Sequence, residues 1–192
     1  LIKKLFLLCF FVLSVIYADS KFYEDNLNGF GFCGANFFIL SKSQDPEIAS
    51  AYKKAEELSL KFAKLYYKEL HKKEATKRDI SKLKFIYLSR LEQEYKNFNN
   101  LSSTTYNKIG KCETFIQIIL RNQENIESTF IKAQSNVVTK RRFLETIAFT
   151  NNVAMDIPKE KVLELYKNWF DNKPQRKKIT KILPNNLQLM KK

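Results

Sequence analysis

The apolar side chains of this sequence recur at helical spacing along almost the whole chain. From Ile48 onward, Tyr52, Ala55, Leu58, Phe62, Leu65 and Tyr66 return at steps of three and four, and lysines and glutamates fill the positions between them. That period puts them on one face of an α-helix. The helix is predicted to start at "DPE", where Asp45 can accept bonds from the first free amides. Pro46 stands where no N–H is needed, and Glu47 sets a negative charge at the positive helix end. It should run to about Lys72. After the polar break "ATKRD", the stripe Ile80, Leu83, Tyr87, Leu91, Tyr95 and Phe98 predicts another helix from Ile80 to about Phe98, with Asp79 as its cap. "NNLSSTT" reads as a loop and cap cluster, followed by a helix with Tyr106, Ile109, Cys112, Ile116 and Ile119 on one side. "IESTFIKAQ" either continues that helix or opens another. "TKRRFLETIAFTNN" predicts a helix with Phe143, Leu144, Ile147 and Ala148 inward. "DIPKEKVLELYKNWF" predicts the last, with Asp156 or a neighbour as cap, Pro158 in the first turn and Val162, Leu165, Tyr166 and Trp169 as its stripe.

The start of the chain follows a different pattern. "LIKKLFLLCFFVLSVIYADS" opens on two lysines, runs apolar from Leu5 to Ala18 and reaches Asp19 after a small residue. A basic region, a short apolar run and a small residue at its end describe a secretory signal peptide, here residues 1–18. The run is shorter than the roughly 20 residues that cross a bilayer, which favours cleavage over a retained anchor. Cys9 follows bulky residues and comes too early for a lipoprotein. Residues 19–31 then read as a polar linker, and a short first helix is expected from about Phe32 to Ser41, with Cys33, Phe37 and Leu40 near one face. Within this region "GFGFCG" matches the G-x-G-x-x-G pattern, but polar "SKFYEDNLN" precedes it where a dinucleotide-binding turn needs a buried strand. The glycines are expected to loosen the approach to the first helix.

Cysteine usage sharpens this picture. Beyond the leader only Cys33 and Cys112 remain, and in an oxidising compartment two isolated cysteines pair. Cys112 lies on an apolar helical face, which predicts a structural bond between packed helices, and the chain has no C-x-x-C to support redox chemistry. The expected fold is an all-α, antiparallel helical bundle of about five helices after the signal peptide. The helical domain would cover residues 32–170, and a basic irregular tail residues 171–192.

Charge separates that tail from the rest. The whole chain carries 34 basic and 20 acidic side chains, a net charge of +14. The tail alone holds Lys173, Arg176, Lys177, Lys178, Lys181, Lys191 and Lys192 against Asp171, with two prolines that oppose a continued helix. These residues are the candidate contacts to an anionic membrane or cell-wall surface. The clusters Lys140-Arg141-Arg142 and Arg176-Lys177-Lys178 could meet phosphates, but export removes the usual nucleic-acid targets and no nucleic-acid module is present.

Little in the sequence points to catalysis. His71 is the single histidine, placed among lysines near a helix end, where a cation complements the last carbonyls. With one histidine and paired cysteines, neither a zinc site nor a Ser-His-Asp or Cys-His arrangement is expected, and no cofactor is implied. "ESTFIKAQS" resembles the opening of the lytic transglycosylase motif through Glu127, Ser128 and Phe130, which would make Glu127 a general acid on peptidoglycan. The family's downstream Gly-Leu-Met-Gln segment is missing, and no glycine follows Gly110. The expectation is therefore a non-enzymatic exported interaction protein that binds an envelope or host component. The alternatives are a peptidoglycan hydrolase using Glu127 and a periplasmic holdase chaperone.

Overall fold

The computed structural model describes residues 2–98, 101–121, 137–150 and 155–171, with side chains described within 20–97, 101–118, 141–148 and 155–171. Six helices make up the described chain, without a strand: α1 (Ile2–Leu40), α2 (Pro46–His71), α3 (Lys77–Phe98), α4 (Ser103–Arg121), α5 (Val137–Thr150) and α6 (Lys159–Asp171). The all-α class and the helical bundle are as the apolar periodicity predicts. None of these helices is long and apolar enough to cross a membrane.

The leading segment departs from the sequence expectation. Residues 19–31 are not a linker, and no short helix begins at Phe32, because a single helix runs from Ile2 to Leu40. Its second half is the centre of the bundle. Phe30, Ala35, Phe37, Ile39 and Leu40 are all at most 1% exposed, and these positions point in every direction around the axis. A helix that is apolar on all sides has to be enclosed by others. α1 is accordingly packed against α2, α3, α4 and α6. The one-face criterion that found the other helices fails here, since an enclosed helix shows no polar face.

The glycines are part of this arrangement rather than a break in it. A β-carbon at Gly31 would lie 2.7 Å from Leu83 Cγ of α3, and one at Gly34 would lie 2.5 Å from Leu60 Cδ2 of α2. Their missing side chains let two neighbouring helices approach the α1 backbone closely.

The tight turn after Leu40 folds α2 back along α1. Phe37 stacks on Tyr52 at 5.9 Å and Phe30 on Tyr66 at 5.4 Å, so residue numbers rise on one helix as they fall on the other. The pair is an antiparallel hairpin. The same reversal relates α4 to α1, through Phe30 against Phe115 at 4.9 Å and the bond between Cys33 and Cys112. Phe30, Phe62, Tyr66 and Phe115 form the aromatic middle of the core. From the outside, Phe143, Leu144, Ile147 and Ala148 of α5 pack inward as predicted, as do Val162, Tyr166 and Trp169 of α6; Leu165 is only partly buried, and Phe170, outside the predicted stripe, is buried as well.

Helix ends follow local chemistry. Asp45 Oδ1 accepts from the amides of Glu47 (2.9 Å) and Ile48 (3.2 Å), with Pro46 opening the helix as read from the sequence. At α3 the cap is Thr76 instead of Asp79. Thr76 Oγ1 accepts from the Asp79 amide at 3.1 Å, while Asp79 Oδ2 accepts from the Thr76 amide at 2.9 Å. This is a reciprocal capping box, in which the carboxylate sits inside the first turn. Ser102 caps α4 by accepting from the Thr105 amide at 3.1 Å, and Glu94 of α3 in turn accepts from the Ser102 amide at 2.6 Å. α6 starts without an aspartate cap, its first bond running from the Val162 amide to the Pro158 carbonyl at 3.2 Å.

Candidate functional site

Cys33 and Cys112, brought within 5.4 Å between their Cα atoms, form a disulfide that ties α1 to α4. Each is 1% exposed. A sulfur pair this enclosed has no access for an attacking thiolate, which fits a structural bond.

The disulfide forms part of the floor of a groove. α1 turns Phe22, Asp25, Asn26, Gly29, Phe32 and Cys33 to one side at steps of three and four, with Asn28 at its flank. α4 supplies Lys108, Lys111 and Cys112 opposite, and Tyr87 of α3 and Ala148 of α5 complete the lining. The volume is about 510 Å³, inside the range of roughly 300–1,000 Å³ typical of ligand sites. Gly29 leaves the middle of the groove without a side chain.

Aromatic rings line the walls, and polar groups are distributed along the length. Phe32 meets Tyr87 edge-on at 6.1 Å, and the Lys108 ammonium lies 5.8 Å from the Phe32 ring. Burial raises the Tyr87 hydroxyl above the ordinary phenol range despite the nearby Arg90, so it stands as a donor at neutral pH. Asn26 Nδ2 is fixed by donating to the Phe22 carbonyl at 2.8 Å. The groove's walls are helices joined by a covalent bridge, which fixes the backbone around its polar groups.

A second polar cluster lies inside the bundle. The Tyr166 hydroxyl donates to Asn36 Oδ1 at 2.6 Å, and both residues are fully buried. Asn36 Nδ2 and Glu113 Oε1 are sealed from solvent with no hydrogen-bond partner. Burial pushes the Glu113 carboxyl above the usual carboxylate range, and a hydrogen bond from Tyr52 opposes this only in part. Glu94 behaves in the opposite way. Burial would raise it, but bonds from Ser102 and Thr105 together with the Lys108 charge outweigh that and hold it low.

The Glu113 environment has a measurable consequence. The folded state keeps a proton that the unfolded chain releases near the ordinary value of 4.5, so its contribution to stability declines as pH rises through and above that value. Glu113→Gln keeps a polar partner for Tyr52 and cannot ionise. We expect it to match the wild type near pH 4 and to exceed it by on the order of 1 kcal/mol near pH 7. Urea denaturation across that range checks this, and parallel pH profiles for the two proteins would refute it.

Other residues marked by the sequence are placed as follows. His71 is the exposed last residue of α2, its ring 4.2 Å from that of Tyr67. Arg141, read as a possible phosphate contact, is held within the fold. Its guanidinium lies 4.6 Å from the Phe22 ring, Nη1 donates to the Tyr23 hydroxyl at 3.2 Å and Nε to Glu145 at 2.6 Å. Glu127 and the tail residues Lys173, Arg176, Lys177, Lys178, Lys181, Lys191 and Lys192 lie outside the described residues. Among the described residues, no three histidine, cysteine, aspartate or glutamate side chains gather to hold a metal.

Asp25, Asn28, Lys108 and Lys111 were not singled out in the sequence. For Asp25 the signal was available as the three-and-four spacing from Phe22 to Cys33, hidden by the polar composition of that stretch.

The chain matches no protein family, and no curated protein or solved structure is significantly similar to it.

Proposed function

We propose that this chain is an exported, non-enzymatic helical binding protein that captures an envelope or host component in the groove between α1 and α4. The observation that carries the proposal is the groove itself. It has ligand-site volume, an aromatic and polar lining, and a floor that includes the Cys33–Cys112 bond. Export is supported by the leader pattern of residues 1–18 and by the disulfide, since such bonds persist in oxidising compartments. The packed body also fits processing after Ala18, because Ser20 and Lys21 are exposed while Phe22 and Tyr23 already pack against the core. The basic tail would add attraction to anionic surfaces, each cation contributing about 1 kcal/mol near an acidic membrane.

A photocrosslinking residue placed at Asn28, compared with one at the exposed Lys54 of α2, tests the reading in the native envelope fraction. We expect a discrete crosslinked species from position 28 only, carried by a protein whose mass begins at Asp19. Equal labelling from both positions would overturn the groove as the binding site. An intact precursor in the cytosol with free thiols would overturn export.

A further inference from the structure

Charges surround the groove, and they cancel. A cation lies over each of the three lining rings: the Arg141 guanidinium 4.6 Å from the centre of Phe22, that of Arg90 5.3 Å from Tyr87, and the Lys108 ammonium 5.8 Å from Phe32. Each of these cations has an acidic counterpart. Arg141 donates to Glu145 at 2.6 Å, Glu94 feels the Lys108 charge, and Glu24 acts on the Tyr87 hydroxyl in the sense opposite to Arg90. Lys111 and Asp25, both in the lining, add one charge of each sign. The groove therefore offers an ionic ligand of either sign no net attraction.

What the lining does offer is side-chain hydrogen bonding beside aromatic surface. The walls are helices, whose backbone groups bond within the helix, so a ligand has to be recognised by side chains. An extended peptide draws affinity from backbone partners such as a sheet edge, and the described residues include no strand. A hydroxyl group, in contrast, both donates and accepts. The groove sets acceptors and donors side by side for it, in the Asp25 carboxylate, the Asn26 oxygen, the Asn28 amide and the Tyr87 hydroxyl. A pyranose turns weakly positive C–H bonds to one face, which complements the negative face of an aromatic ring. Gly29 leaves the floor open for such a ring. On these grounds we propose that the groove binds a neutral oligosaccharide, with hydroxyls bonded to Asp25, Asn28 and Tyr87 and a sugar ring laid along Phe22 and Phe32. This inference rests on the groove being a binding site and names its occupant.

Calorimetric titration of the purified protein with four tetrasaccharides tests this. Chitotetraose and cellotetraose are neutral, deacetylated chitotetraose is cationic and tetragalacturonate is anionic. At least one neutral sugar should bind with a dissociation constant of about 1 mM or tighter. It should bind at least about fivefold more tightly than its charged counterpart, whose charge finds no match in the groove, and equally well at low and high salt. Gly29→Leu should weaken binding at least about tenfold by filling the floor, while the fold persists because leucine favours a helix more than glycine does. Asn28→Ala should weaken it about fivefold, the scale of one lost hydrogen bond. Unchanged circular dichroism verifies the fold of both variants. Tighter binding of a charged sugar, affinity that falls with salt, or indifference to Gly29→Leu refutes the proposal. Tighter binding of capped tetraalanine would refute it in favour of a peptide. Absence of sugar binding with the crosslinks from position 28 intact would refute only the occupant and leave the binding groove standing.

Discussion

Replacing Cys33 and Cys112 together by alanine is expected to lower the free energy of unfolding by about 4.5 kcal/mol, the loop-entropy value for a bridge spanning 79 residues. Few single features of a domain this size contribute as much, since net stabilities are commonly about 5–15 kcal/mol. The bond joins the central helix to α4, which otherwise meets α1 through a limited set of packed residues such as Phe30 and Phe115. The enclosed sulfurs should also resist reduction of the folded protein and yield once it unfolds. Guanidinium denaturation with and without reductant, beside the double variant, measures both effects. A loss under about 1 kcal/mol would mean that helix packing alone holds the two elements together and that the bridge is incidental to the fold.

The second large effect is expected at Phe30. Its ring is fully buried between Phe62, Tyr66 and Phe115, at 5.5, 5.4 and 4.9 Å. Phe30→Ala should cost about 4 kcal/mol through lost burial and the cavity left among rings that cannot collapse to fill it. A residue in an exposed linker would cost within about 0.5 kcal/mol. Urea denaturation at unchanged m value therefore separates a central helix from a linker at this position. A change below about 1 kcal/mol would show that the segment before Phe32 is not packed as described.

Phe30 also marks where sequence reasoning stopped. For α2, α4, α5 and α6 the apolar stripes identified many of the inward residues, though not Phe115 or Phe170, because each of these helices keeps a wet face that makes its period visible. α1 has no such contrast over residues 30–40, and just before them the polar residues from Ser20 to Asn28 resemble a loop by composition. Three glycines within six residues strengthened that impression. The role of Gly31 and Gly34 becomes clear only with Leu83 and Leu60 in place, because close approach between helices is a property of pairs. The capping of α3 shows the same limit on a smaller scale. Thr76 and Asp79 carry the pattern of a reciprocal box, but which of them stands at the boundary depends on where α3 begins.

The candidate site was even less visible. Its cysteines were paired correctly from their isolation and from the apolar face around Cys112. Asp25, Asn28, Lys108 and Lys111 are ordinary surface residue types, and only the packing of α1 on α4 brings them to one groove. Glu113 is similar, a glutamate beside a core cysteine whose carboxyl loses water only when Tyr52 and its neighbours close over it.

The sequence alone determined the helical class, the amphipathic faces, the cap at Asp45 and the pairing of Cys33 with Cys112, since each depends on spacing or chemistry a few residues wide or on a count. The tertiary structure decided that α1 lies at the centre, that Gly31 and Gly34 are contact points and that a groove opens beside the disulfide. Burial and charge complementarity depend on which surfaces meet, and residues far apart in the chain meet only when it folds.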